Sequence, residues 1–87
     1  MANNNEKTND KVEFEIIKKL GVISTYQTGW NKEVNIVKWN DGQPKYDIRD
    51  WNPEHDRMSR GVTLFEDEAR KLAEALTKSF KSDEEAA

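Results

Sequence analysis

Val34-Asn35-Ile36-Val37-Lys38-Trp39 and Tyr46-Asp47-Ile48-Arg49-Asp50-Trp51, with Asp41-Gly42 between them, decide the fold of this chain. Both runs are β-branched and aromatic, the composition of strands. Asp-Gly signals a hairpin, because glycine accepts the positive φ that tight turns require. A two-residue loop would set Ile36 opposite Asp47 and mix apolar with charged side chains on both faces. A three-residue loop, Asp41-Gly42-Gln43, sets Ile36 opposite Ile48 and Lys38 opposite Tyr46. One face then carries Val34, Ile36, Tyr46 and Ile48. The other carries Asn35, Val37, Trp39, Lys45, Asp47, Arg49 and Trp51, since side chains alternate with a period of two.

Outward from this hairpin, Phe14 to Ile23 reads as a preceding strand and Gly61 to Leu64 as a following one, with Met58-Ser59-Arg60-Gly61 starting an edge or bulged strand. After Leu64 the period changes. Phe65, Ala69, Leu72, Ala73, Leu76 and Phe80 recur at helical spacing, with Glu66, Asp67 and Glu68 in the first turn and Lys78 and Lys81 near the end, both signs as the helix dipole favours. The predicted class is α+β: a four-stranded antiparallel curved sheet followed by one amphipathic helix, β-β-β-β-α.

Eighty-seven residues with 34% hydrophobic and 36% charged content hold one small domain and exclude a two-domain enzyme. Residues 1–11 and 81–87 are polar or acidic and read as disordered tails around a domain at 12–80. Without cysteine there is no disulfide and no thiolate metal site. A core of this size seldom supplies more than about 3–5 kcal/mol, so a partner chain is expected. The helix stripe of Ala69, Leu72, Ala73, Leu76 and Phe80 is too broad for one sheet to cover, which points to an isologous homodimer. No apolar run spans a bilayer, and the start lacks the basic and apolar regions of a signal peptide, so the expectation is cytoplasmic.

The net charge of −3 argues at first against nucleic acid, but Asp83, Glu84 and Glu85 account for all of it. The informative feature is the Trp39 and Trp51 face with Lys45 and Arg49 between. Aromatic rings stack unpaired bases, while Lys and Arg track phosphates. Pattern alone leaves open whether those tryptophans face solvent or fill a core or dimer interface.

The segment Tyr46-Asp47-Ile48-Arg49-Asp50-Trp51, the charged loop Asn52-Pro53-Glu54-His55-Asp56, and Arg60-Gly61-Val62-Thr63-Leu64 leading into the helix resemble the C-terminal domain of the positive cofactor four family, and in size its bacterial YdbC-like members. The resemblance covers roughly Phe14 to Phe80. It implies a transcriptional coactivator fold in which the sheets of two subunits form a groove for single-stranded DNA and the helices pair. It carries nucleic-acid contact to Lys18, Trp39, Arg49, Trp51 and Arg60, with Lys45 as a basic neighbour; outside the resemblance, Lys38 is expected as an outlying contributor. Trp51 follows Arg49 by two positions where the family has three, and Leu20 to Asn31 has no counterpart, so the sequence assigns no role to Tyr26, Trp30 or Arg57.

The reading is therefore a non-catalytic, homodimeric module that binds single-stranded DNA with little sequence preference, in transcription regulation or DNA maintenance, with no cofactor. RNA is the rival ligand, since nothing identifies a 2′-hydroxyl reader. A protein-interaction module docking through the Trp/Arg face is the rival from another class. His55, the single histidine, lies beside Glu54 and Asp56 without metal-ligand spacing and reads as a solvated loop residue.

Overall fold

The computed structural model describes residues 12–86; the 1–11 tail expected above lies outside the described residues. Four strands form one antiparallel sheet in sequence order: β1 (Phe14–Thr25), β2 (Asn31–Trp39), β3 (Lys45–Trp51) and β4 (Val62–Leu64). They are followed by α1 (Glu66–Ala86). This is the expected β-β-β-β-α order.

The β2–β3 register pairs Ile36 with Tyr46 and Val34 with Ile48, two residues away from the expected pairing. An even slip preserves every face, so the predicted alternation survives the wrong loop length. The turn itself differs from the sequence reading. Asn40, not Gly42, takes the left-handed conformation (φ 52°), and its side chain accepts from the Glu13 backbone N–H at 3.0 Å. Asparagine enters that region more readily than most residues because its short polar side chain can bond locally.

β1 carries three bulges, which leave Ile17, Leu20 and Ile23 without partners on β2. Each bulge adds bend and twist. On the face of Val37, Phe14 packs against both Trp39 and Trp51, with ring centres 5.9 and 5.1 Å apart. That face therefore holds the buried residues of the sheet: Val37, Trp51, Glu33, Asn35 and Asp47.

The opposite face is less covered. Val34, Ile36, Tyr46 and Ile48 are only half-buried. Among the described residues the helix touches only β3 and β4 of the strands, and Leu72, Leu76 and Phe80 are exposed. The helix is also longer than predicted, taking in Asp83, Glu84 and Glu85 rather than ending in a tail near residue 81. Its last turn holds no basic residue, so Lys78 and Lys81 do not close it as expected. Phe65 is the residue before the helix rather than part of its stripe. Its carbonyl accepts from Ala69 N–H at 2.9 Å, and its own N–H donates to Glu68 at 2.8 Å, one arm of a capping box.

Candidate nucleic-acid interface

Alternation places Trp39, Lys45, Arg49 and Trp51 on one face, and the structure does so. What it does with each of them differs.

Trp51 is 0% exposed. Phe14 covers it from β1, and the His55 imidazole stacks on it at 5.6 Å and 28°. The expectation that Trp51 offers a free ring to a base is thereby corrected: loop 52–58 folds back over it and β1 curls across it. His55 is likewise no solvated loop residue. Its Nε2 lies 2.9 and 3.0 Å from the two carboxylate oxygens of buried Glu33, and its backbone is left-handed at φ 60°. Burial pushes the Glu33 carboxyl up, but hydrogen bonds from Asn35 and His55 and the attraction of His55 outweigh it, and the net shift is downward. The loop is organised by Asn52, a residue the sequence reading passed over. Its Oδ1 accepts from the backbone N–H groups of Asp56 and Arg57, while Nδ2 donates to Glu54 and Asp56. Asn-Pro after a strand was the available signal for such a side-chain-closed turn.

Arg49 grips Asp47 with both arms, Nε to Oδ1 at 2.6 Å and a terminal nitrogen to Oδ2 at 2.7 Å. Its other N–H groups meet the Ser59 carbonyl, the Met58 sulfur and the Thr63 hydroxyl, and Thr63 donates in turn to Asp47 at 2.9 Å. Asp47 is fully buried. All five of its donors are committed and its charge is matched by Asp47, so a phosphate would have to displace one of these partners to reach Arg49. Its guanidinium lies 4.5 Å from the centre of the Trp39 ring, holding one face of that indole. Gly61 makes this approach feasible, because a methyl there would run into the Ile48 carbonyl and the Arg49 side chain.

Trp39 remains half-exposed and borders an open cavity of about 460 Å³ lined by Arg49, Met58, Ser59, Arg60 and Thr63. Arg60 is exposed at its rim. Lys45 lies opposite Val37 on this face, with its Nζ 5.0 Å from the centre of the Phe65 ring. Phe65 is 58% exposed, a second aromatic that the helical periodicity had concealed. Among the described residues neither Lys45 nor Arg60 has a carboxylate partner. Lys18 and Lys38 leave the site: they pair across from Ile36 and Glu15, on the opposite face. Tyr26 donates to Asp50, and Trp30 and Arg57 line a separate hollow beside Pro53.

A family model described as Transcriptional Coactivator p15 (PC4) matches residues 26–75, more than half of the chain. The chain belongs to this coactivator family. Its β2, β3 and β4, and the first half of α1, lie inside the match, while the bulged β1 lies outside it. A Treponema pallidum (strain Nichols) protein named "Uncharacterized protein" is 41% identical over 56 residues, covering 64% of this chain and 66% of its own length. Among the described residues no helix is long and apolar enough to cross a membrane, and no cluster of ligating side chains could hold a metal ion.

Proposed function

We propose that this chain is a non-catalytic, cytoplasmic module that binds single-stranded DNA through the Trp39 face and acts as a homodimer in transcription regulation or DNA maintenance. The half-exposed Trp39 ring carries the reading: it borders an open cavity, it is held from one side by Arg49, and its Nε1 has no partner among the described residues. A base from an unpaired strand fits such a platform, and every base has a ring face, so this contact ignores sequence. Lys45 and Arg60 supply the uncommitted charge, and Phe65 is a second stacking surface.

What one chain leaves uncovered supports the dimer. Leu72, Leu76 and Phe80 lie along one stripe with Ala69 and Ala73 beside them, and only Ala69 is half-buried. A second helix laid on this stripe would cover it.

The test is a fluorescence titration with single- and double-stranded oligonucleotides at two salt concentrations, beside a light-scattering mass. Single strands should bind more tightly than duplex. With two unpaired cations per protomer, each worth about −0.7, log affinity should fall with log salt at a slope of about −1.4 per protomer. Equal affinity for duplex, or unchanged tryptophan emission on adding oligo-dT, would sink the reading and favour a protein partner. Matched RNA competing on equal terms would remove the restriction to DNA.

A further inference from the structure

The same face has a second hollow that the Trp39 cavity does not reach. It measures about 310 Å³ and lies between the curled half of β1 and loop 52–58, lined by Lys19, Val22, Asn31, Glu33, Asn35 and His55. Pairing sets Lys19 opposite Asn35 and Val22 opposite Glu33, so these four side chains belong to the face of Val37. A volume at the low end for small-ligand pockets suits one planar ring system.

Its hydrogen-bonding capacity is lopsided toward acceptors. Asn35 is 1% exposed, and its Nδ2 donates to Glu33 Oε1 at 3.1 Å, which fixes the amide's orientation. Oδ1 is then left without a donor. The three buried side-chain polar atoms that lack a partner among the described residues are Asn35 Oδ1, Trp39 Nε1 and Trp51 Nε1. All three residues belong to this one face. A buried acceptor left unpaired costs free energy that a ligand N–H would recover. Glu33 adds a carboxylate, already bonded by Asn35, His55 and Asn31, whose oxygens can each take more than one donor. Lys19 is the one cation in the lining, and it is exposed at the rim.

Bases of a single strand can be read on their Watson–Crick edges. Adenine and cytosine present one amino group beside a ring acceptor, and thymine one N–H between two carbonyls. Guanine alone presents two adjacent donors, N1–H and the 2-amino group, next to a carbonyl. We propose that this hollow takes the Watson–Crick edge of one guanine of the bound strand, its two donors meeting Asn35 and Glu33 and its O6 accepting from Lys19. The inference rests on the single-strand reading above and adds to it one sequence-sensitive position in an otherwise indifferent site.

Fluorescence anisotropy on the full chain tests it with three labelled strands: an all-dT tract, the same tract with one central dG, and the same with one inosine, which lacks the 2-amino group. The dG strand should bind about tenfold more tightly than all-dT, with inosine between them. In Lys19→Ala, an exposed position whose change leaves the fold intact, the dG-to-dT ratio should fall below threefold. Equal affinity for the three strands, with all-dT still bound, overturns the guanine site and leaves the single-strand reading standing. A dG advantage unchanged in Lys19→Ala puts the guanine elsewhere and also overturns it. Failure of every strand to bind removes both.

Discussion

Trp51→Ala separates a tryptophan that binds from one that holds the fold. The indole is 0% exposed, packed between Phe14 at 5.1 Å and His55 at 5.6 Å. Removing such a ring costs about 3–5 kcal/mol, transfer and cavity together. A small domain without disulfide or metal has about that much stability in total. The variant should therefore be largely unfolded at 25 °C, with loss of near-ultraviolet circular dichroism and no cooperative urea transition, whereas Trp39→Ala should keep its transition. Because the stability of the proposed dimer would depend on protomer concentration, both variants and the parent are compared at one concentration. Trp39→Ala should instead weaken oligo-dT binding by about 1–3 kcal/mol. A Trp51→Ala protein that unfolds within about 0.5 kcal/mol of the parent would refute the placement of this ring in the core.

Three other outcomes follow from particular contacts. Gly61→Ala should destabilise the fold by about 1–3 kcal/mol in urea and weaken oligo-dT binding, since the methyl displaces β4 and the Arg49 clamp on Trp39; a neutral result would contradict the close approach at Gly61. The Glu33 carboxyl is held below its ordinary value of 4.5, so the native state binds its proton less readily than the unfolded chain does. Its contribution to stability should be full above that value and fade as pH falls below it through the lowered native pKa, and Glu33→Gln should flatten this acid limb in urea titrations. Leu76→Asp should leave the sheet's circular dichroism intact but halve the light-scattering mass to that of one 10.1 kDa chain; an unchanged dimer mass would place the interface elsewhere.

Much of the sheet is legible in the sequence because its cues are local. Alternation in Val34–Trp39 and Tyr46–Trp51 fixes which side chains share a face, and a register two residues off leaves those sets unchanged. The switch to helical spacing marks α1, although the same periodicity absorbs Phe65, which precedes the helix and lies against Lys45. The site is less legible. Arg49 and Trp51 are ordinary members of an alternating pattern, and nothing in that pattern says that Asp47, two residues before Arg49, takes up its charge. Nor does it say that His55, four residues after Trp51, lies flat on its ring. Lys18, assigned through the family resemblance, lies on the other face because the bulge at Ile17 breaks the parity of β1 just before it.

The order of elements, the sorting of side chains into two faces and the apolar stripe on the helix are written in local sequence, because all three depend on dihedral preferences and spacings within a few residues. Which face is covered depends on the folded whole. β1 curls across Val37 and Trp51, and Asn52 ties its loop down over them, so the face bearing Trp39 and Trp51, whose exposure the alternation left open, carries the buried side chains. Burial is set by what distant segments lay over a surface, and a period of two carries no information about that.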